Sequence, residues 1–417
     1  MSIEDRLSES LARNLDRLEV PAGDVDAARR AGDRQRRQRT WTTGLAAAAV
    51  LTVVATGVAV ARSGDDDGRL DPAPDSGSWT RLPDAPISPR THGIAVWTGT
   101  EAIFLGGETD NLCPPNASCV EPSSYASDGA AYDPVAGTWR RIAPAPFPVA
   151  NYIRSAIVGD NLVLVGPDGG WHAYEASDDR WRELPAQPDG PRDPGLLSAV
   201  DGRIYALGRG DVVQVLDMRT EEWSSLPRST QEPRIDAQLV LATPEGIVVI
   251  GVDSTAKNDG SEPSWALAEV YDGGASWTRL PHSGILSGWA WLWTGERLVA
   301  PTSYCEDGGE VDGYGSCIPL GGILDPGTGT WAKLPEAPEP SGDAWGINQG
   351  NELVASQGFL YDDATGTWAR IPVPAGAPDH DVAAVWADRE IIAFGGLDSQ
   401  KGWEKDALSN RAWSWTP

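Results

Sequence analysis

The chain has 417 residues, with 60 acidic side chains against 33 basic ones and a formal charge of −27. That charge excludes nucleic acid as a partner, since a phosphate backbone demands a basic face. Hydrophobic residues at 41% exclude a disordered polymer, and Gly and Pro scattered without a fixed period exclude collagen.

Residues 1–62 differ from the rest. They hold ten Arg against eight acidic side chains, whereas the remaining 355 residues hold 23 basic against 52 acidic ones. Within residues 2–19, Ile3, Leu7, Leu11, Leu15 and Leu18 recur every three or four positions, Ser2 and Asp5 mark a helix start, and Pro21 ends the run. One apolar stripe on such a helix needs cover, from a cytoplasmic partner, a second copy or the membrane surface. Arg29, Arg30, Arg34, Arg36, Arg37 and Arg39 then precede an uncharged run from Trp41 to Ala61, followed by Asp65, Asp66 and Asp67. About 20 helical residues span the roughly 30 Å of bilayer hydrocarbon. Arginines stay on the cytoplasmic side, so the N-terminus is expected inside and the C-terminal bulk outside.

The expected organisation is therefore a cytoplasmic basic segment with an amphipathic helix at 1–40, a transmembrane helix at 41–62, a flexible linker at 63–77 and an exported domain at 78–417. This makes a single-pass protein of the plasma membrane. The alternative is a signal peptide cleaved after Ala59-Val60-Ala61; the long segment before it and the length of the apolar run oppose that reading.

From residue 78 onward one phrase recurs: Trp79-Thr-Arg-Leu-Pro83, Trp139-Arg-Arg-Ile-Ala-Pro144, Trp181-Arg-Glu-Leu-Pro185, Trp223-Ser-Ser-Leu-Pro227, Trp277-Thr-Arg-Leu-Pro281, Trp331-Ala-Lys-Leu-Pro335 and Trp368-Ala-Arg-Ile-Pro372, with a worn copy at Trp413-Ser-Trp415-Thr-Pro417. The Trp-to-Trp steps are 60, 42, 42, 54, 54, 37 and 45 residues, in the range of propeller blades and above that of helical solenoids. Each unit has an apolar run (Ile94–Trp97, Leu239–Ala242, Val382–Trp386), a Gly or Asp turn, a second β-rich run (Ala102–Leu105, Leu162–Val165, Ile391–Phe394), a third strand ending in Tyr-Asp (Tyr132-Asp133, Tyr271-Asp272, Tyr361-Asp362) and the Trp strand. Four short strands with tight turns make one antiparallel sheet. Blades that radiate from an axis leave gaps that widen outward, and the Trp is expected to fill them rather than to serve as a sugar platform.

This pattern resembles the kelch-type β-propeller, and specifically the kelch-like domain of galactose oxidase and its relatives. The resemblance rests on Gly106-Gly107 and Gly395-Gly396, the Tyr-Asp pairs and the Trp-x-x-Leu/Ile-Pro phrases. It implies an all-β, kelch-like propeller with seven four-stranded blades, six or eight remaining open, closed by the strand at Trp79 beside the C-terminal strands. Trp413 also reads as a fourth strand, so one copy is a candidate extra.

Cys113 with Cys119, and Cys305 with Cys317, form two local pairs on the exported side and read as two loop-limiting disulfides; zinc is the rival reading. Glu306, Asp307, Glu310 and Asp312 make the second loop acidic, and a solvated loop is favoured over a calcium site because the ligand spacing does not match. No metal or other cofactor is expected.

Propeller ligands meet the mouth of the central channel, where first strands and their incoming loops converge. The residues there are Arg90, His92, Arg154, Asp236, Trp289, Trp291, Asp343, Trp345, His380 and Asp381. Arg, carboxylate, His and Trp side chains in one funnel suit a saccharide or a small anion. A sensor or scaffold that binds a protein or glycan at the cell envelope is the expected function. The alternative is an exported sugar-active enzyme of mutarotase or oxidase type. The oxidase copper set of two Tyr and two His is not matched by His92, His172, His282 and His380, and no GxSxG, HExxH or P-loop occurs.

Overall fold

Runs of two to nine residues rich in Val, Ile, Leu and aromatic side chains, broken by Gly, Asp and Pro, fold as short antiparallel strands. The computed structural model describes residues 75–417 apart from 111–123, 189, 191–193, 211, 254–264, 275, 287–290, 302–304, 307–317, 320, 336–348, 351–352, 357 and 403–404. Strands assemble in fours. Blade 1 runs from Ile94–Trp97 to Thr138–Ile142, blade 2 from Ser155–Val158 to Arg180–Leu184, and blade 3 from Ser198–Val200 to Glu222–Ser225. Blade 4 runs from Ile235–Thr243 to Thr278–Arg279, blade 5 from Leu292–Trp293 to Thr330–Ala332, and blade 6 from Gln349–Gly350 to Thr367–Arg370. Blade 7 takes Ala383–Ala387, Glu390–Phe394 and Ala412–Thr416 from one end of the domain and Ser78–Arg81 from the other. The fold is a seven-bladed β-propeller whose ring is closed by strands from both ends of the domain.

Among the described residues no single central core exists. Apolar side chains gather instead in seven main clusters, one in each seam between neighbouring blades. In the seam between blades 7 and 1, for example, Phe104 and Tyr132 meet Val385, Ile392 and Phe394. This is the arrangement radial repetition dictates: each sheet is apolar on both faces, and each face needs a neighbour.

The recurring Trp sits opposite the third strand's aromatic or aliphatic residue: Tyr132 faces Trp139, Tyr174 faces Trp181, Leu324 faces Trp331 and Tyr361 faces Trp368. Its indole does more than fill the widening seam. Trp139 Nε1 donates to the Pro83 carbonyl at 2.9 Å, Trp181 to Ala143 at 2.9 Å, Trp223 to Pro185 at 2.9 Å and Trp277 to Pro227 at 2.6 Å. Trp331 donates to Pro281 at 3.0 Å, Trp368 to Pro335 at 3.1 Å, and Trp79 to Pro372. In every case the acceptor lies four residues after the preceding blade's Trp. Seven hydrogen bonds thus link the seven blades head to tail. Only Trp277 among these is buried and the other six are half-buried, so the Trp is a seam element at the rim of the core rather than its centre.

The Asp of the Tyr-Asp pairs makes the turn to the Trp strand. Asp133 Oδ1 accepts from the amides of Val135 and Ala136, and Asp362 Oδ1 from those of Ala364 and Thr365. This is the Asx turn, in which a short carboxylate stands in for backbone acceptors.

Two sequence expectations change. Trp413 and Trp415 lie on the third strand of blade 7, and Trp415 faces Trp79 across the closing pair. The worn copy is therefore no extra blade: Trp415 occupies the place that Tyr holds elsewhere, and Trp79 is the true fourth-strand residue. In the insertion of blade 5, Cys305–Glu306 pairs antiparallel with Ile318–Pro319. Cys113, Cys119, Cys317 and the Cys305 side chain lie outside the described residues, as do Asp307, Glu310 and Asp312. So do the expected cytoplasmic and transmembrane helices and the linker up to residue 74. Among the described residues no helix is long and apolar enough to cross a membrane.

If the indole hydrogen bond and the seam packing both count, two substitutions at one site separate them. Trp181→Phe should destabilise by about 1 kcal/mol, the net value of one hydrogen bond. Trp181→Ala should cost about 3 kcal/mol, at the lower end for a large aromatic because the ring is half-buried. Chemical denaturation of both variants would measure the difference; equal, wild-type-like midpoints would contradict the seam assignment.

Candidate functional site

In each blade the first strand begins, and the second strand ends, at the same edge. The loops entering first strands and those leaving second strands therefore share one face of the ring. At the seam between blades 7 and 1 this face carries titratable side chains in mutual contact.

The two Gly-Gly pairs build this region. Gly106 and Gly395 have φ of 71° and 78°, and a Cβ on either would lie 2.2 Å from the Val149 carbonyl oxygen or 2.6 Å from that of Arg90. The next residue in each pair donates its amide to the same carbonyl, Gly107 to Val149 at 2.7 Å and Gly396 to Arg90 at 2.9 Å. Each pair thus clasps the loop that enters the following blade, at a distance only Gly permits.

Held by these clasps, His92 and Asp381 occupy equivalent positions in blades 1 and 7. Both residues adopt left-handed backbone, with φ of 52° and 51°. His92 Nε2 lies 3.3 Å from Asp381 Oδ2, and its Nδ1 lies 3.2 Å from Glu108 Oε2. The imidazole is therefore held between two carboxylates. The hydrogen bond that the His92 ring donates to Asp381 is the main influence raising the His92 pKa, against burial, with the charges of Asp381 and Glu108 adding to it. The same bond holds Asp381 below its ordinary value against desolvation. Glu108 is buried, and its Oε1 has no hydrogen-bond partner among the described residues. A buried carboxylate oxygen without a donor costs about 1–3 kcal/mol, so the site is one donor short.

Two aromatic residues are tied to this trio through the backbone. Glu108 forms a β-bridge with Tyr125, and the amide of Asn151 donates to the His92 carbonyl at 2.8 Å. Tyr152 follows Asn151, stands edge-on to Tyr125 at 6.1 Å and is 63% exposed.

The other sequence candidates fall differently. Arg90 is 2% exposed and bonds to Ser88, the Gly106 carbonyl and Asp128, so it braces the seam beneath the site. His380 is exposed and contacts Asp379 at 3.1 Å. Burial pushes the Asp379 pKa up, but hydrogen bonds from the Ser399 hydroxyl and amide and from His380 outweigh it and bring it to about 2. Because the Ser399 hydroxyl donates to Asp379 and not to His380, these three do not form a nucleophile–base pair. Arg154 immediately precedes the first strand of blade 2, and its carbonyl accepts from Val165. Asp236 is exposed at the start of blade 4, away from this trio in another seam. Trp291 is core, packed edge-on to Trp331 at 5.8 Å. Trp289, Asp343 and Trp345 lie outside the described residues. Among the described residues no three His, Cys, Asp or Glu side chains are placed to hold a metal ion.

The structure thus brings His92 and Asp381 together and adds Glu108, Tyr125 and Tyr152, which the sequence reading missed. Glu108 had a signal: it follows Gly106-Gly107 directly, at the edge where the first strand begins. No family model and no curated protein matches the chain.

The His92–Asp381 pair ties blade 7 to blade 1 in a pH-dependent way. A raised His92 pKa contributes stability below the ordinary value of 6.5 and loses it as pH rises through the folded value. A lowered Asp381 pKa contributes stability above the ordinary value of 3.8 and loses it as pH falls. The contribution should peak between about pH 4 and 6.5. Asn at position 92 keeps the left-handed backbone and removes the imidazole. Thermal melts of wild type and His92→Asn should differ most within that window and converge at alkaline pH; a pH-independent difference would contradict the pairing.

Proposed function

We infer that the chain is a membrane-tethered, kelch-like propeller that acts as a binding module at the cell envelope, a sensor or scaffold whose ligand is a glycan. The Arg-flanked uncharged run at 41–61 supports the tether and the orientation. The resemblance in the Gly-Gly, Tyr-Asp and Trp phrases supports the kelch type. A rigid propeller with loops gathered on one face suits recognition, though the fold alone names no ligand.

The observation that carries the glycan reading is the exposed Tyr152 edge-on to Tyr125, on loops whose backbone is bonded to Glu108 and His92, together with the His92 imidazole between the Glu108 and Asp381 carboxylates. An aromatic face packs against the C–H surface of a sugar, while carboxylates and imidazole pair with its hydroxyls. The stripe of Ile3, Leu7, Leu11, Leu15 and Leu18 would carry a cytoplasmic contact, making the protein a link between the two sides of the membrane.

A glycan array probed with the full-length protein tests the reading. Retention of a defined set of glycans is expected, falling at least tenfold in Tyr152→Ala, an exposed substitution that leaves the seams intact. Absence of retention, or retention unchanged in Tyr152→Ala and His92→Asn, would overturn it. The same imidazole between carboxylates is an acid–base arrangement, so mutarotation of reducing sugars faster than the spontaneous rate would replace the binder by an enzyme.

A further inference from the structure

At three seams of the described ring, the loop entering the next blade drives an apolar side chain inward. Ile87 does so between blades 7 and 1, Val149 between blades 1 and 2, and Ile285 between blades 4 and 5, and all three are fully buried. Between blades 3 and 4 the loop reads Leu226-Pro-Arg-Ser-Thr-Gln-Glu-Pro-Arg234, and none of its residues is buried. The missing plug leaves a cavity of about 260 Å³ that opens into the seam.

The lining of this cavity is ordered by depth. Ile235, Val249 and Trp277 are buried and give it apolar walls. Glu269, also lining it and 4% exposed, accepts two hydrogen bonds from Arg279 on Oε1, at 3.0 and 2.6 Å. Its Oε2 makes no hydrogen bond among the described residues, so the cavity holds an acceptor whose charge Arg279 already balances. At the rim stand Arg228 and Arg234, both exposed. Arg228 makes no ion pair among the described residues, and Arg234 reaches only the exposed Glu232, at 3.8 Å. A pair that exposed is worth little. In a chain with a formal charge of −27, two guanidinium groups left over at one opening mark the place where an anion is tolerated.

We propose that this cavity is a second ligand site, for a small α-amino or α-hydroxy acid with an apolar side chain. The carboxylate meets Arg228 and Arg234, the amino or hydroxyl group donates to Glu269 Oε2, and the apolar side chain lies on Ile235, Val249 and Trp277. At about 30 Å³ per water molecule the cavity holds roughly nine waters, which accommodates the bulk of an amino acid. The site is separate from the face at blades 7 and 1 and does not depend on glycan binding there.

The test is isothermal titration of the full-length protein with L-leucine, with 2-hydroxyisocaproate and with L-leucine methyl ester. Both acids should bind saturably, and the ester, which lacks the carboxylate, at least tenfold more weakly. The double variant Arg228→Ala/Arg234→Ala changes only exposed side chains, so it should stay folded; it should lose at least tenfold for both acids and little for the ester. Glu269→Gln should weaken all three. No saturable binding of either acid at millimolar concentration, equal affinity for acid and ester, or acid binding unchanged in the double arginine variant would each overturn the proposal. Tyr152→Ala should leave acid binding unaltered, which separates a failure here from a failure of the glycan reading.

Discussion

One hydrogen bond, repeated seven times, sets the architecture: the indole N–H of each blade's Trp donates to the carbonyl four residues after the Trp of the blade before. The outermost strand of a blade is a sheet edge, and the carbonyl where it ends has no ladder partner. The neighbouring indole supplies one. The same ring covers the widest part of the seam, so one side chain satisfies a polar group and excludes water at once. Because every donor belongs to one blade and every acceptor to the previous one, the links fix both the order and the sense of the ring. The last two links, Trp79 to Pro372 and Trp139 to Pro83, exist only because residues 78–83 have joined blade 7.

With seams as the units of packing, variation between seams becomes the source of individuality. Gly-Gly clasps bring backbone to backbone at blades 1 and 2 and at blades 7 and 1, and the tight fit there holds His92 and Asp381 in left-handed conformations that place their side chains face to face. The seam of blades 3 and 4 is the opposite case, where a polar loop gives up close packing and leaves room for a guest. Salt links elsewhere tie blades without making sites: Arg297 of blade 5 grips Asp363 of the blade 6 turn, and Arg182 of blade 2 reaches Glu221 of blade 3.

Much of the fold was legible in the sequence because the repeat carries its physical reasons on its surface. The Trp phrases, the Tyr-Asp strand ends and the Gly-Gly pairs could be placed along the chain and located the strands, but the Asx turn of Asp133 and Asp362 and the close approach at Gly106 and Gly395 show only in the structure. The misreading of Trp413 has a clear cause. A Trp strand and a third strand with aromatic residues have the same alternation, and only register shows that Trp415 stands where Tyr132 and Tyr361 stand in other blades. The site was half legible. Positions before first strands were found, since strand starts can be read from turns. Glu108 and Tyr125 escaped because they follow second strands or lie in long insertions, and their proximity to His92 depends on loops meeting across a ring. Arg90 looked like a channel residue and is a buried brace, a distinction that composition cannot draw. The cavity between blades 3 and 4 is an absence, visible only when its neighbours show what a filled seam looks like.

The closing blade also imposes an order on biogenesis. Ser78–Arg81 leaves the ribosome among the first strands of the domain, yet its partner, Ala412–Thr416, is the last to be made. Throughout synthesis of the intervening six blades this strand waits without a neighbour, and the growing array carries one raw face at each end. Strands of four and five residues, with Arg81 at the waiting edge, keep that interval from becoming an invitation to pair with another nascent chain.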